Sequence, residues 1–510
     1  MFVKLHSGAV LGVDGYIVDV EVDLASGLPA FDIVGLPDSA VKESRERVRA
    51  AIRNANYTFP VKRITVNLAP ADIRKVGPAY DMPIAIGILI CTGTVPISAV
   101  EGAFFAGELS LDGALRPVNG ILPMVLAAKA AGLTRFYVPI ENAQEAALVT
   151  GITVYPVATI DALVDHFDHT PIAPTTVDVN AMFNTAEDTY GVDFADVAGQ
   201  ALVKRALEVA AAGYHNALMI GPPGAGKTML ARRMPTILPN LSIEESMEIT
   251  KIYSIAGLLS QKSLLMTARP FRTPHHTASY VSLAGGGRTP SPGEMSLAHN
   301  GVLFLDELPE FQKKALETMR QPLEDGQITV TRVGGVCTYP SSFLLLATMN
   351  PCPCGYMGTD RCNCTDGEIS RYLDKISGPL LDRIDIQVEA TAVAYAELSA
   401  REKGAEDSQT IKARVENARA RQAVRFKNEG IYFNAKMPAP LIEKHCTAKM
   451  VPQGAEMLKM VFDSMNLSAR AYHKILKIAR SIADLADSEN INEAHVAEAI
   501  SYRGLDRKFW

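Results

Sequence analysis

The run Gly221-Pro222-Pro223-Gly224-Ala225-Gly226-Lys227-Thr228 has the residue types of a phosphate cradle. Its glycines let backbone N–H groups turn inward toward anionic oxygens, and the positive end of a following helix strengthens the field. Lys227 would reach β- and γ-phosphates, and the Thr228 hydroxyl would ligate Mg²⁺. An ordinary glycine turn is the bland alternative. It is disfavoured because a strand-like segment, Asn216 to Ile220, precedes the loop and a helix is predicted to begin near Lys227.

Binding a nucleotide does not require hydrolysing it, and Val302-Leu-Phe-Leu-Asp-Glu307 supplies the missing chemistry. Four apolar residues predict a buried strand, with two carboxylates at the end where ligands of parallel sheets sit. Asp306 would hold Mg²⁺ through its water shell, and Glu307 would polarise the attacking water. A third apolar stretch, Phe343 to Met349, ends in Asn350, whose amide could orient the same water; a plain turn residue is the alternative. Arg383 stands among acids in Leu380-Leu-Asp-Arg-Ile-Asp385. It either pairs locally with Asp382 or Asp385, or acts as an arginine finger on a neighbouring subunit, a charge worth roughly 10³-fold or more in rate. Arg470, opening a C-terminal helix, is the candidate second sensor, with a surface salt bridge as its alternative.

Cys352, Cys354, Cys362 and Cys364 follow Asn350 as C-x-C-x₇-C-x-C. Four thiolates can close a structural zinc site, although C-x-C is tighter than the usual C-x₂-C. Four reduced thiols in a loop are the alternative. His275 and His276 could be metal ligands, but sequence neighbours rarely face one ion, so they read as structural or loop-positioning. The basic run from Ile411 to Lys427 reads as a solvated helix face rather than a DNA contact.

Elements that must position these groups are legible in the flanking patterns. Val18, Val20 and Val22 alternate with Asp19, Glu21 and Asp23, the period of a half-buried strand, and Arg63 to Leu68 repeats it. Ser39 to Arg53 has helical spacing. A Pro/Thr/Asp-rich stretch, His169 to Asp188, predicts a linker. Asn492 can cap a final helix. At 510 residues there is room for roughly three domains. Hydrophobic content of 48% and charge content of 21% suit a globular protein, and a net charge of −6 confines any DNA contact to loops or a channel. No apolar leader opens the chain, and the longest apolar run, Pro83 to Cys91, is about half a bilayer span. With seven cysteines, four of them clustered, the expected location is cytoplasmic, with no membrane partner.

Taken together, these motifs resemble an AAA+ ATPase. Arg269-Pro-Phe-Arg-Thr-Pro-His-His276 and Pro292-Gly-Glu-Met-Ser-Leu-Ala-His-Asn-Gly301 narrow the resemblance to the magnesium-chelatase-like branch, and nearly the whole chain resembles its ComM/YifB family. The resemblance implies an α/β fold, an AAA+ P-loop NTPase core at 191–392 with a helical lid at 393–510. It also implies a homo-hexameric ring, ATP and Mg²⁺ as cofactors, and ATP sites between subunits. Two insertions, around Gly285-Gly-Gly-Arg288 and the hairpin Ile328 to Tyr339, would point into the pore as in ring helicases of the MCM type. Arg288 and Arg332 would then meet phosphates of single-stranded or branched DNA, with a solvated loop arginine as the alternative for each.

Asn67 to Asp81 resembles the nucleophile segment of the Lon protease domain, which makes residues 1–168 an α+β, ribosomal-S5-domain-2-like unit, joined to the core by 169–190. The family's serine falls at Ala79 and its lysine at Leu122, so this domain should lack peptidase activity. Three functions compete. The family resemblance implies a DNA motor, associated with branch migration in recombination and natural transformation. A remodelling or metal-insertion chaperone like the magnesium-chelatase motor is the runner-up. A nucleotide-gated scaffold is disfavoured by Asp306 and Glu307.

Overall fold

The alternation at Val18, Val20 and Val22 builds the strand Asp14–Ala25, in which these three valines are fully buried. In the computed structural model, residues 1–184, 190–260, 263–287, 290–332, 335–392, 406–465 and 467–503 are described. The strand pairs antiparallel with Phe2–Leu11 on one side and Arg63–Ala69 on the other. A seven-stranded mixed sheet results, running Ala30–Val34, Arg63–Ala69, Asp14–Ala25, Phe2–Leu11, Ala103–Phe105, Arg135–Pro139, Thr153–Val157. The apolar run Pro83 to Cys91 lies in the helix Asp81–Cys91, buried along its whole length against this sheet. Its one charge, Asp81, is fully buried but bonded to Arg47 at 2.6 Å, which makes that burial tolerable. Ala79 and Leu122 are both buried in a single apolar cluster with Phe104 and Val138.

The expected linker is more structured than its composition suggests. Thr175 bridges to Val154, and the short helix Val179–Asn184 sets Val179, Met182 and Phe183 against the first domain's core. Apolar residues spaced through a polar stretch give it something to bury.

A second sheet is wholly parallel, in the order Phe271–Arg272, Val302–Leu305, Leu344–Met349, Ala217–Ile220, Ile386–Glu389. Its inner strands are continuous apolar runs because helices cover both faces. Leu218, Ile220, Leu303 and Leu305 face one cluster, while Ala217, Met219, Val302 and Phe304 face the other. The C-terminal helices Ser408–Arg425, Ala439–His445, Pro452–Met465, Ala469–Leu485 and Glu493–Ser501 pack on the second of these faces, and Asn492 caps the last by accepting from the His495 N–H. No described helix is long and apolar enough to cross a membrane.

The basic helix Ser408–Arg425 is a packing face, not a solvated one. Arg414 pairs with the buried Glu208 and with Glu406, Arg425 pairs with the buried Asp484, and Arg421 pairs with Asp487. Arg419 lies 4.0 Å over the Phe433 ring. Apart from Glu406, the acids that neutralise the run come from segments distant in sequence.

The base of the parallel sheet is tied to these helices by a buried relay. His215 Nδ1 lies 3.1 Å from Asp385 and its Nε2 lies 2.8 Å from the Ser481 hydroxyl. It has the members of a hydrolytic triad, but His215 and Ser481 are fully buried and no substrate can enter. Burial opposes the charge on Asp385, yet the His215 hydrogen bond and the Lys474 ammonium outweigh it and hold the carboxyl at about 2. A carboxylate with a depressed pKa contributes stability above its unfolded value, lost as pH falls through the folded one. Asp385→Asn is therefore expected to cost about 2 kcal/mol at pH 7. The deficit should narrow between about pH 4 and pH 2, measured as the thermal midpoint of variant against wild type. A gap that stays constant over that range would remove the carboxylate's charge as its cause.

Candidate active site

The strand Ala217–Ile220 delivers the chain to the loop 221–226, and the helix Lys227–Ile237 carries it away. Gly221 is required by contact: a Cβ there would lie 2.1 Å from the Ala390 carbonyl oxygen. Gly224 and Gly226 both sit at φ 79°, a left-handed conformation that turns successive N–H groups toward one point. No side chain caps the helix, so its first amides remain available to an anion.

Lys227 is 9% exposed and its ammonium donates to the Gly221 carbonyl at 2.6 Å, the Pro222 carbonyl at 2.9 Å and Asn350 Oδ1 at 3.2 Å. Burial lowers its pKa, while the charges of Asp306 and Glu307 work the other way. Thr228 Oγ1 donates to Asp306 Oδ2 at 2.9 Å, and the Thr348 hydroxyl donates to Asp306 Oδ1. The acid is thus held by a hydroxyl on each oxygen, one from the helix and one from the neighbouring strand. This donor set suits a hard cation, which prefers oxygen ligands.

Glu307 follows at φ 55°, more than half exposed, with its amide donating to Thr348 Oγ1 at 3.3 Å. Its carboxylate lies 3.9 Å from His276 Nδ1. Lys227, Thr228, Asp306, Glu307 and Asn350 therefore converge beyond the C-terminal ends of three adjacent strands. This is the crevice where open parallel sheets bind ligands.

Two functional candidates escaped the sequence reading. Thr348 is a fully buried hydroxyl in an otherwise apolar strand, two residues before Asn350 and on the same face. That lone polar residue was the available signal. His276, read as structural, faces Glu307 while its ring lies 4.1 Å from that of His275; nothing in the spacing foretold its acidic neighbour.

The two arginines are elsewhere. Asn216, at the N-terminal end of the phosphate-loop strand, donates to the Arg383 carbonyl at 2.9 Å. Arg383 thus lies at the opposite end of the sheet from Lys227. It pairs with Glu324, not with Asp382 or Asp385 as local spacing suggested. Arg470 lies beside it, 74% exposed and 3.2 Å from Asp382. Both line a cavity of about 300 Å³ shared with Asn216 and Glu324. Neither approaches the phosphate loop of its own chain.

The four clustered cysteines lie with every sulfur within 4.8 Å of the others. Arg332 ends the strand Gln327–Arg332, paired antiparallel with Gly335–Pro340, as the expected hairpin requires. The side chain of Arg332 and the whole of Arg288 lie outside the described residues.

Comparisons with known proteins agree along the chain. Residues 193–398 match the family model "Magnesium chelatase, subunit ChlI", residues 20–142 match "Subunit ChlI of Mg-chelatase", and residues 405–503 match "Magnesium chelatase, subunit ChlI C-terminal". An uncharacterized protein of Mycobacterium tuberculosis is 43% identical over 505 residues, covering 98% of each chain. The YifB protein of Salmonella typhimurium is 42% identical over 508 residues, 99% of this chain and 97% of its own. Competence protein ComM of Haemophilus influenzae is 41% identical over 510 residues, again 99% and 97%. With its phosphate loop, paired acids and strand-terminal Asn350 set in one crevice, this chain belongs to the ComM/YifB family of magnesium-chelatase-like AAA+ ATPases.

Proposed function

We propose that the chain is one subunit of a hexameric ring that hydrolyses ATP at its seams and moves DNA through its pore. One observation carries the reading: phosphate-binding groups and the arginines Arg383 and Arg470 occupy opposite ends of one sheet. A site having both needs two copies of the chain. In this reading the loop amides and Lys227 hold the phosphates, and Thr228 with Asp306 would hold Mg²⁺, which would supply neutralisation of the phosphate charge. Glu307 takes a proton from the attacking water, and Asn350 orients that water. Arg383 reaches the neighbour's γ-phosphate with Arg470 beside it, so the second-sensor role passes to the neighbour's nucleotide. Arg288 and Arg332 meet DNA phosphates.

Residues 1–168 act as a Lon-like collar without peptidase activity, because Ala79 and Leu122 offer neither nucleophile nor base. The linker at 169–190 joins it to the core at 191–392 and the lid at 393–510. The cysteine cluster holds a structural zinc. Branch migration of recombination intermediates during natural transformation, in the cytoplasm, is the process we infer. The printed name of the Haemophilus relative, a competence protein, supports the natural-transformation part of that reading.

The family models, all named for a magnesium-chelatase subunit, favour a second reading, a remodelling or metal-insertion chaperone. Stimulation of ATPase activity separates the two. Forked or single-stranded DNA should raise turnover several-fold, in particles whose mass is that of six chains. Turnover indifferent to DNA but raised by a protein partner would transfer the assignment to the chaperone.

A further inference from the structure

Between the strand end Met349 and the helix cap Thr365 the chain makes a long excursion with no regular structure. Loops of this length inside a folded unit are uncommon unless something pins them. The sulfur of Cys352 lies 3.4 Å from Cys354 and 3.9 Å from Cys362, and Cys354 lies 3.7 Å from Cys362. Those separations are far beyond a disulfide's ~2.05 Å. They bracket the edge of about 3.8 Å that a tetrahedron with ~2.3 Å metal–sulfur bonds requires. Backbone amides also point at the sulfurs: Cys354 accepts from Tyr356 and Asn363, and Cys362 accepts from Cys364. Such N–H donors are the outer shell that orients thiolate ligands.

The same loop touches the nucleotide site at two places. Asn350, two residues before the fully buried Cys352, accepts from Lys227 Nζ at 3.2 Å. Gly355, in the turn closed by its own N–H on the Cys352 carbonyl at 3.0 Å, sits at φ 84°. A Cβ there would lie 2.5 Å from Pro223 Cδ of the phosphate loop. The cluster therefore stands directly behind the cradle.

We propose that a zinc ion held by Cys352, Cys354, Cys362 and Cys364 is the rear strut of the nucleotide site. It fixes the loop 351–364 so that Gly355 braces Pro223 and Asn350 holds Lys227, and metal binding thereby raises nucleotide affinity. The inference rests on the zinc assignment made above and on the nucleotide role of the loop 221–228. Without the ion, the loop loses its cross-link and the brace loses its position, so the cradle must be ordered at the expense of nucleotide binding energy.

The test uses the full-length protein, metal analysis and titration with a fluorescent ATP analogue at saturating Mg²⁺. Purified protein should hold one zinc per chain. Removal by a zinc-selective chelator should weaken nucleotide binding roughly tenfold, and added zinc should restore it. The double variant Cys362→Ser/Cys364→Ser should behave as the stripped protein. Gly355→Ala provides the arm that keeps all four thiols: its zinc should stay stoichiometric while its nucleotide affinity falls. Zinc present but without effect on affinity overturns the coupling and leaves the metal site standing. No zinc after growth in zinc-supplemented medium, with four freely titrating thiols, overturns both. Wild-type affinity in Lys227→Ala would instead overturn the nucleotide role of the loop, a separate result.

Discussion

Glu307→Gln should lower ATP turnover by roughly 10²- to 10⁴-fold, the usual range for loss of a general base, while nucleotide binding stays close to wild type. The contrast follows from where the carboxylate stands. Glu307 makes no hydrogen bond to the phosphate loop; Lys227 is held by Gly221, Pro222 and Asn350, and Thr228 by Asp306. Its own surroundings are open, with His276 Nδ1 3.9 Å from the carboxylate. Gln keeps the size of the side chain, and its backbone tolerates φ 55° about as well as that of Glu, so the turn after Asp306 is undisturbed. What disappears is the capacity to accept a proton. Phosphate release in steady state, set beside titration with a fluorescent ATP analogue, reads the two quantities separately. Turnover within a few-fold of wild type would mean that another group activates the water.

How far the sequence reaches depends on whether the relevant partner is near in the chain. The phosphate loop, the acids at 306 and 307 and Asn350 were legible because each follows its own apolar strand by one or two residues. The strands were legible too, since alternation at Val18, Val20 and Val22 and unbroken runs such as Val302–Leu305 are imposed by one-sided and two-sided burial. Contacts made across the fold were not. The only partners within the chain that local spacing offers Arg383 are Asp382 and Asp385, yet its partner is Glu324, brought there from the helix Arg320–Asp325. The basic helix has the local pattern of a solvated face because Glu208, Asp484 and Asp487 are invisible at short range in the chain. Thr348 shows the middle case. A hydroxyl amid Leu344, Leu345, Leu346 and Ala347 is conspicuous, but that it serves Asp306 depends on the two strands being neighbours.

Arg383→Ala should reduce turnover by roughly 10³-fold while nucleotide affinity and ring size are retained. Within one chain Arg383 cannot act on its own nucleotide, because Asn216 fixes its backbone at the strand's N-terminal end and the phosphate loop leaves from the other. Its guanidinium is parked on Glu324 and on the Pro379 carbonyl at 2.7 Å. Glu324 is 66% exposed, so the pair is worth no more than about 1 kcal/mol and can be exchanged for a phosphate. Mixing gives the decisive measurement. Arg383→Ala and Glu307→Gln should each be nearly inactive alone. In mixed rings, a seam that takes Glu307 from the first variant and Arg383 from the second contains both groups and should turn over. Recovery of activity on mixing, rising with the fraction of such seams, is expected if the arginine serves its neighbour. Mixtures no more active than their components would place Arg383 in the service of its own subunit, contrary to the geometry, or outside catalysis altogether.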